Sequence, residues 1–302
     1  LGALRPMTSQ GKPLDFEEAD PEKDQFGVAQ VAGGWDVVTR HVRTSSRGAQ
    51  VEFRLLGAVT IVSGDRETHP ASGRVRSLLA CVAWQPRELV PDERLIEQIW
   101  DEEVPTDPRD ALYTCAKRLR RALAEACGAE RGLVRLRGGY LLDLDPERID
   151  VHRFRRLVRE ARQAGDDTAA ACLYERALRL PAGTPLADVD SRWAEGARTV
   201  LRREQLSARV AVAHAWLRAG RHAELVPDLV YLAEEHPLDE AITGLLMEAL
   251  HRCGHQAEAL DRYAGIRARL VEQLGDEPGP ALRHTHQRLL QRNAGEFSRA
   301  TH

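Results

Sequence analysis

The sequence predicts a mainly α-helical protein, in which a winged helix-turn-helix with a small β-sheet precedes an all-α domain of the tetratricopeptide type. Three observations support this fold class. A chain of 302 residues has the length expected of two domains. Residues 51–148 carry strand-like runs, three helical segments and a second pair of strand-like runs, in that order. From about Ile149 onward Ala, Leu, Arg and Glu dominate and strand signals vanish.

Composition and charge narrow the class of function. The formal net charge of −3 argues against a uniformly basic coat for nucleic acid, although a local basic patch remains compatible with it. No run of 18 or more apolar residues occurs and the N-terminus has no apolar signal core, so we expect a cytoplasmic protein without a membrane partner. The five cysteines are scattered and form no C-x-x-C pair, which favours free thiols over disulfides or zinc ligands.

The N-terminal residues 1–50 differ in texture from the rest. They include the acidic stretch DFEEADPEKDQ and scattered Pro, Gly and Ser, which predicts a flexible acidic arm. Whether the arm has a specific role stays open. Residues 294–302 are predicted to be a C-terminal tail.

The next segment, residues 51–100, predicts a small sheet and two helices. Gly64 and Asp65 separate two β-compatible runs, as in a hairpin. Apolar residues then recur at i, i+3, i+4 and i+7, as on one face of a helix: Val75, Leu78, Leu79 and Val82. Pro86 ends this helix. The stretch PDERLIEQIW predicts a second helix that begins near Pro91 and offers four side chains for burial: Leu95, Ile96, Ile99 and Trp100.

A third helix and a hairpin complete this domain. Asp107 suits the helix N-cap, Pro108 the first helical position and Asp110 the third, and Gly128 suits the position after the helix ends. The stretch GLVRLRGGYLLDLD then predicts two strands around a tip at Gly138-Gly139. A helix-turn-helix followed by such a hairpin is a winged helix.

The third helix is amphipathic and strongly cationic. At about 100° per residue, one side carries Leu112, Ala116, Leu119 and Leu123, and the opposite side carries Thr114, Lys117, Arg118 and Arg121, with Arg120 at the flank. A solvated face with i,i+4 ion pairs is the alternative, but no acidic residue lies between positions 111 and 124. The last helix of a helix-turn-helix is the one that enters the major groove.

Each cation has an expected role at DNA. Arg118 points most directly outward and is the candidate for bidentate hydrogen bonds to guanine, with Thr114 beside it for a base edge or a thymine methyl group. Phosphate contacts are expected from Lys117, Arg120 and Arg121 on this helix and from Arg74 and Arg76 at the start of the first helix. Arg135 and Arg137 precede the hairpin tip and suit the minor groove, unless the hairpin is a plain surface feature. Tyr140 and Trp100 favour burial.

The second domain, residues 149–293, contains an internal repeat. AWLRAGRHAEL begins at Ala215 and ALHRCGHQAEAL at Ala249, which places Gly220 and Gly254 in register 34 residues apart. This is the period of tetratricopeptide repeats, which stack antiparallel helix pairs. Pro237 and Pro278 are predicted to lie between helices.

Together, these segments resemble the Streptomyces antibiotic regulatory protein family, in its small two-domain form. The resemblance runs from about Val51 to Gln291 and depends on the fixed order of SGRVRSLLACVAWQP, ALYTCAKRLRRAL, LRGGYLLDLD, IDVHRFRRLVREAR and HPLDEAITGLLMEALHRCGHQAEAL. It implies a transcriptional activator of a secondary-metabolite gene cluster. Such proteins bind direct repeats near the −35 promoter region as two protomers and recruit RNA polymerase with its principal sigma factor.

The same resemblance assigns roles by position. The base-reading arginine of the family falls on Arg118, and the wing glycines fall on Gly138 and Gly139. The family's tryptophan at the end of the second helix, often near the DNA backbone, falls on Trp100. The resemblance therefore implies that these residues also belong to the DNA-binding surface. Asp110, Tyr113 and Cys115 depart from the usual pattern, so the preferred DNA sequence is expected to differ, with Tyr113 among the contact residues.

An enzyme is not expected, because G-x-S-x-G, H-E-x-x-H and phosphate-loop motifs are absent. His251 and His255 lie four residues apart, but Gly254 breaks the shared helix face, so no metal or cofactor is predicted. The remaining alternative is a protein-interaction scaffold with a structural winged helix.

Overall fold

The computed structural model describes residues 51–127, 132–181 and 183–300. The predicted arm at residues 1–50 and the predicted helix stop at Gly128 lie outside these residues. The architecture is mainly helical, with two small antiparallel sheets near the start and a wholly helical second half, which confirms the predicted fold class. In the described part of the chain, no helix is both long and apolar enough to cross a membrane.

The first half has the element order of a winged helix. Its first sheet, in the order β1-β2-β3, consists of β1 (Val51–Arg54), β2 (Thr60–Ser63) and β3 (Arg66–Thr68). The helices are α1 (Gly73–Trp84), α2 (Asp92–Trp100) and α3 (Pro108–Cys127). The second sheet, in the order β4-β6-β5, consists of β4 (Val90–Pro91), β5 (Leu133–Leu136) and β6 (Gly139–Leu142). The predicted hairpin at Gly64-Asp65 joins β2 to β3.

Helix α3 forms as its sequence pattern predicts. Asp107 caps it, since its Oδ1 accepts the backbone N–H of Asp110 at 3.1 Å, and Pro108 is the first helical residue. The Asp110 carboxylate makes no reciprocal hydrogen bond within the described residues, so only half of the expected cap forms. The four apolar residues of the predicted inner face are buried in the core: Leu112, Ala116, Leu119 and Leu123.

The tip of the wing differs from the prediction by one residue. The turn consists of Arg137 and Gly138, and Gly138 adopts a left-handed φ of 85°. Gly139 is already part of β6, where it pairs with Leu136 and Pro91. A Cβ atom on Gly139 would lie 2.3 Å from the Val90 carbonyl oxygen. This glycine is therefore required by the close approach of β4, not by the turn.

The second half is a run of seven helices within the described residues: α4 (Asp150–Gln163), α5 (Asp167–Leu178), α6 (Arg192–Arg218), α7 (His222–Glu235), α8 (Glu240–Arg252), α9 (Gln256–Leu274) and α10 (Pro280–Ala300). Each helix from α4 to α9 packs on the next along the chain, and α10 packs mainly on α8. Pro237 and Pro278 lie between helices, as predicted. Helix α10 continues through most of the predicted tail.

The predicted 34-residue repeat is visible in the helix ends. Gly220 ends the α6 turn with φ 84° and Gly254 ends the α8 turn with φ 83°. In each case the residue after the glycine donates its N–H back into the helix, from Arg221 to Trp216 O at 3.0 Å and from His255 to Leu250 O at 2.9 Å. The two glycines therefore end their helices by the same Schellman geometry.

Backbone groups of the loop after β1 bond the second half at several points. Asp150, in the first turn of α4, accepts the N–H groups of Leu55 and Leu56. Asp188, in the α5–α6 connection, accepts the N–H of Val59 at 2.8 Å. The same connection also pairs backbone to backbone with the loop after β1, where Gly183 N donates to Leu56 O, Leu186 N to Leu55 O and Ala187 N to Gly57 O. One continuous hydrophobic core runs through both halves.

Candidate nucleic-acid interface

The outward face of α3 carries the predicted contact residues in exposed positions. Tyr113 is 57% exposed, and Thr114, Lys117, Arg118 and Arg121 are also exposed. The inner face of the helix packs on the core, so these side chains are held on a rigid element. Cys115, a candidate for altered DNA preference, is buried instead, and burial raises the pKa of its thiol.

Lys117 and Arg118 have neither a hydrogen-bond nor an ion-pair partner among residues 51–127, 132–181 and 183–300. By contrast, Arg121 forms an i,i+4 ion pair with Glu125 at 2.9 Å. Both partners of that pair are exposed, and exposed pairs of this kind are weak. Arg121 can therefore exchange Glu125 for an anion with little loss of stability.

Arg120, at the flank of the helix, is engaged within the protein. Its Nε donates to the carbonyl oxygen of Leu133 on β5 at 3.0 Å. Its guanidinium carbon lies 5.6 Å from the ring centroid of Tyr140, which is buried as predicted. Arg120 thus ties α3 to the second sheet.

Arg135 on the wing is also engaged. Both of its terminal nitrogens bond the carboxylate of Asp92, with Nη2 at 2.7 Å from Oδ2. Its guanidinium carbon lies 4.5 Å from the Tyr140 ring centroid. The Asp92 hydrogen bond raises the pKa of Arg135. Arg137, at the turn, is exposed and has no partner within the described ranges, so it is the wing cation that remains available.

The candidates on α1 and α2 face inward or toward protein groups. Arg74 donates to Ile99 O and pairs with Glu103 at 3.1 Å. Arg76 pairs with Asp188 at 2.8 Å and donates to Pro70 O at 2.9 Å. Trp100 is only 7% exposed and lies in the core. These three residues are engaged within the domain, and their expected contacts with DNA stay predictions.

Sequence reasoning gave Asp92 no role, although the structure makes it the partner of Arg135. It stands at the start of a short helix, where an acidic residue is commonplace, and its partner Arg135 lies 43 positions away. Nothing local in the sequence indicates the pair. His251 bonds the Gln256 side chain at 2.6 Å, and within the described region no group of three or more potential metal ligands occurs.

Comparisons with known proteins agree with this architecture. The bacterial transcriptional activator domain family matches residues 149–290. Over 249 residues the chain is 35% identical to the transcriptional regulator RedD of Streptomyces coelicolor, covering 80% of this chain and 71% of RedD. Over 255 residues it is 31% identical to the regulatory protein DnrI of Streptomyces peucetius, covering 81% of this chain and 94% of DnrI.

A solved structure shares the fold. Mycobacterium tuberculosis EmbR, in complex with a low affinity phosphopeptide, superposes with a TM-score of 0.77 at 26% identity, covering 81% of this chain and 66% of that chain. A winged helix with an exposed cationic third helix, followed by a bacterial transcriptional activator domain, defines a bacterial transcriptional regulator. The chain belongs to the Streptomyces antibiotic regulatory protein family of transcriptional activators.

Proposed function

We propose that this activator binds promoter DNA sequence-specifically through the outward face of α3 and controls a secondary-metabolite gene cluster. The observation that carries the proposal is that Lys117 and Arg118 have no partner in the described part of the chain, on a helix whose opposite face is packed in the core. Lys117 also lies four residues before Arg121 on this helix, and like charges at that spacing repel each other. An anionic partner removes that repulsion, and DNA phosphates supply it at regular spacing.

The roles of the α3 residues follow from their chemistry. Arg118 presents a planar guanidinium that suits guanine O6 and N7, and Thr114 lies one turn earlier on the same face. Lys117 and Arg121 suit phosphates, which set the position of the helix without reading sequence. Tyr113, exposed beside them, contributes to the preference of this chain.

The wing supplies a second contact through Arg137. A lone arginine at an exposed turn suits a narrow, electronegative minor groove next to the major-groove site. Arg120 and Arg135 hold the wing and α3 in place, because their guanidinium groups are already bonded within the protein.

The family adds the wider setting of the proposal. Two protomers sit side by side on direct repeats near the −35 region, and the helical half helps recruit RNA polymerase holoenzyme with its sigma factor. The protein acts in the cytoplasm, at the nucleoid. The main support is the match of the second half to the bacterial transcriptional activator domain.

The test begins with a footprint on genomic fragments that identifies a bound site. Fluorescence anisotropy then compares Arg118→Ala and Lys117→Ala on that site and on random DNA. Arg118→Ala is expected to lose roughly tenfold to a hundredfold in affinity for the site, with little change on random DNA. Lys117→Ala is expected to weaken both and to lower the slope of log Kd against log salt by about 1.

The matched control is Arg176→Ala, which removes from α5 an exposed arginine that has no partner among the described residues. It is expected to bind like the wild type. A protein that yields no footprint, or an Arg118→Ala variant that binds as the wild type does, would rule out the proposal and leave the scaffold alternative.

A further inference from the structure

Asp92 connects α2 to the wing through both its side chain and its backbone. Its side chain is only 7% exposed, and its carboxylate accepts hydrogen bonds from both terminal nitrogens of Arg135. Its backbone N–H donates to the carbonyl oxygen of Gly138, in the wing turn, at 2.9 Å. One residue therefore holds the wing at two points.

Those two points flank Arg137, the wing cation without a partner in the described part of the chain. Arg135 precedes Arg137 by two residues and Gly138 follows it directly. The strand β6 is held from the same side, since Val90 pairs with Tyr140 and β4 leads straight into Asp92. The position from which Arg137 projects is thus set by the start of α2.

The wing is also connected to α3. Arg135 and Arg120 both pack against the Tyr140 ring, and Arg120 bonds the first residue of β5. The wing therefore has one set of contacts with α2, through Asp92, and another with α3, through Arg120. Together they define the angle between the wing turn and the outward face of α3.

We propose that Asp92 is a positioning residue for DNA binding, which fixes the wing so that Arg137 meets the groove next to the one occupied by α3. The inference rests on the proposed function, because it gives Arg137 a DNA contact. Asp92 itself touches no DNA in this arrangement. It acts through Arg135 and the Gly138 carbonyl.

The direction in which Asp92→Asn changes DNA affinity distinguishes a positioning role from a purely electrostatic one. Replacing Asp92 with Asn removes a negative charge near the interface, and that change alone strengthens attraction to DNA phosphates. A loss of the wing position weakens binding instead. Asp143→Asn is the matched control, since Asp143 is an exposed carboxylate at the other end of the wing whose ion pair with Arg87 spans 4.0 Å.

The test is a double-mutant cycle on the footprinted site, measured by anisotropy. Asp92→Asn and Arg137→Ala are each expected to weaken binding by roughly tenfold. The double variant is expected to bind no more weakly than Arg137→Ala alone. Once Arg137 is absent, displacing the wing removes no further DNA contact. Asp143→Asn is expected to bind as tightly as the wild type or more tightly.

Two further variants keep the test decisive if Asp92→Asn folds poorly. Arg135→Lys keeps one ion pair with Asp92 and is expected to bind DNA more tightly than Arg135→Ala. The double variant Arg135→Ala/Arg137→Ala is expected to bind DNA no more weakly than Arg137→Ala alone. The inference is overturned if the affinity losses of the two single variants multiply in the double variants. It is also overturned if Asp92→Asn binds normally while Arg118→Ala binds weakly. Either result leaves the proposed function intact. Normal binding by both Arg118→Ala and Arg137→Ala overturns both.

Discussion

The carboxylate of Asp150 accepts the backbone N–H of Leu55 with both of its oxygens, at 2.8 and 2.9 Å. These residues belong to different halves of the chain, since Asp150 begins α4 and Leu55 follows β1. Burial raises the pKa of Asp150 from its ordinary value of 3.8 to about 6, although three backbone N–H groups favour the charged form. The joint between the halves therefore contains a carboxyl group that titrates close to neutral pH.

This shift predicts a pH-dependent stability. A carboxyl group whose pKa is higher in the folded state binds more protons when folded. Its contribution to the free energy of unfolding is complete below the unfolded pKa and is lost as the pH rises through about 6. We expect the stability of the wild type relative to Asp150→Asn to fall between about pH 4 and pH 6.

Urea unfolding of both proteins at a series of pH values measures this difference. Asp150→Asn keeps the size of the side chain but cannot ionise, so it isolates the titration of this group. Parallel stability curves for the two proteins across that pH interval would refute the assignment.

Separating the halves is expected to destabilise the winged helix. A fragment of residues 51–149 lacks Asp150 and the α5–α6 connection, which bond the loop after β1, and it uncovers Leu55 and Leu56. Both leucines are fully buried in the intact chain. We expect the fragment to unfold at a lower temperature than residues 51–291 and to bind DNA more weakly.

Circular dichroism during heating, with the chain of residues 51–291 as the control, tests this expectation. Equal unfolding temperatures for the two proteins would mean that the joint contributes nothing to the first half.

The two wing glycines are expected to respond differently to substitution. Gly139→Ala places a Cβ atom 2.3 Å from the Val90 carbonyl oxygen, so β4 and β6 must separate. Overpacking of this kind costs about 1–3 kcal/mol. Gly138→Ala meets no atom within 4 Å and pays only for its left-handed φ of 85°, a cost of about 1–2 kcal/mol.

The measurement that distinguishes them is DNA binding together with thermal unfolding. Gly139→Ala is expected to weaken DNA binding because Asp92 follows β4 directly and moves with it. Wild-type affinity in Gly139→Ala, or a larger loss in Gly138→Ala, would contradict this account of the wing.

Local patterns in the sequence predicted the structural features that depend on residues close together in the chain. The spacing of Leu112, Ala116, Leu119 and Leu123 predicted the buried face of α3, and all four are buried. The spacing of Gly220 and Gly254 predicted the helical repeat, since a left-handed helix end favours glycine wherever it occurs.

The partners of the arginines depend on distant residues and could not be predicted in this way. Arg120, Arg135 and Arg76 bond groups that lie 13, 43 and 112 positions away. The helical or strand period places such side chains outside the core, but it contains no information on which carboxylate or carbonyl packs back against them. The predicted wing turn lay one residue too far along the chain for a similar reason. The position of the turn depends on the pairing of β6 with β4, and β4 has only two residues and no sequence pattern of its own.

The loop after β1 is held to the second half mainly through its main chain, with Leu55, Leu56 and Gly57 each contributing backbone groups to the α5–α6 connection or to Asp150. Every amino acid except proline offers the same N–H and C=O groups. This segment can therefore accept changes of side-chain identity at Gly57 and Ala58 far more readily than a change of length. A single inserted residue would shift every donor past its acceptor, and the two halves of the activator would lose their common register.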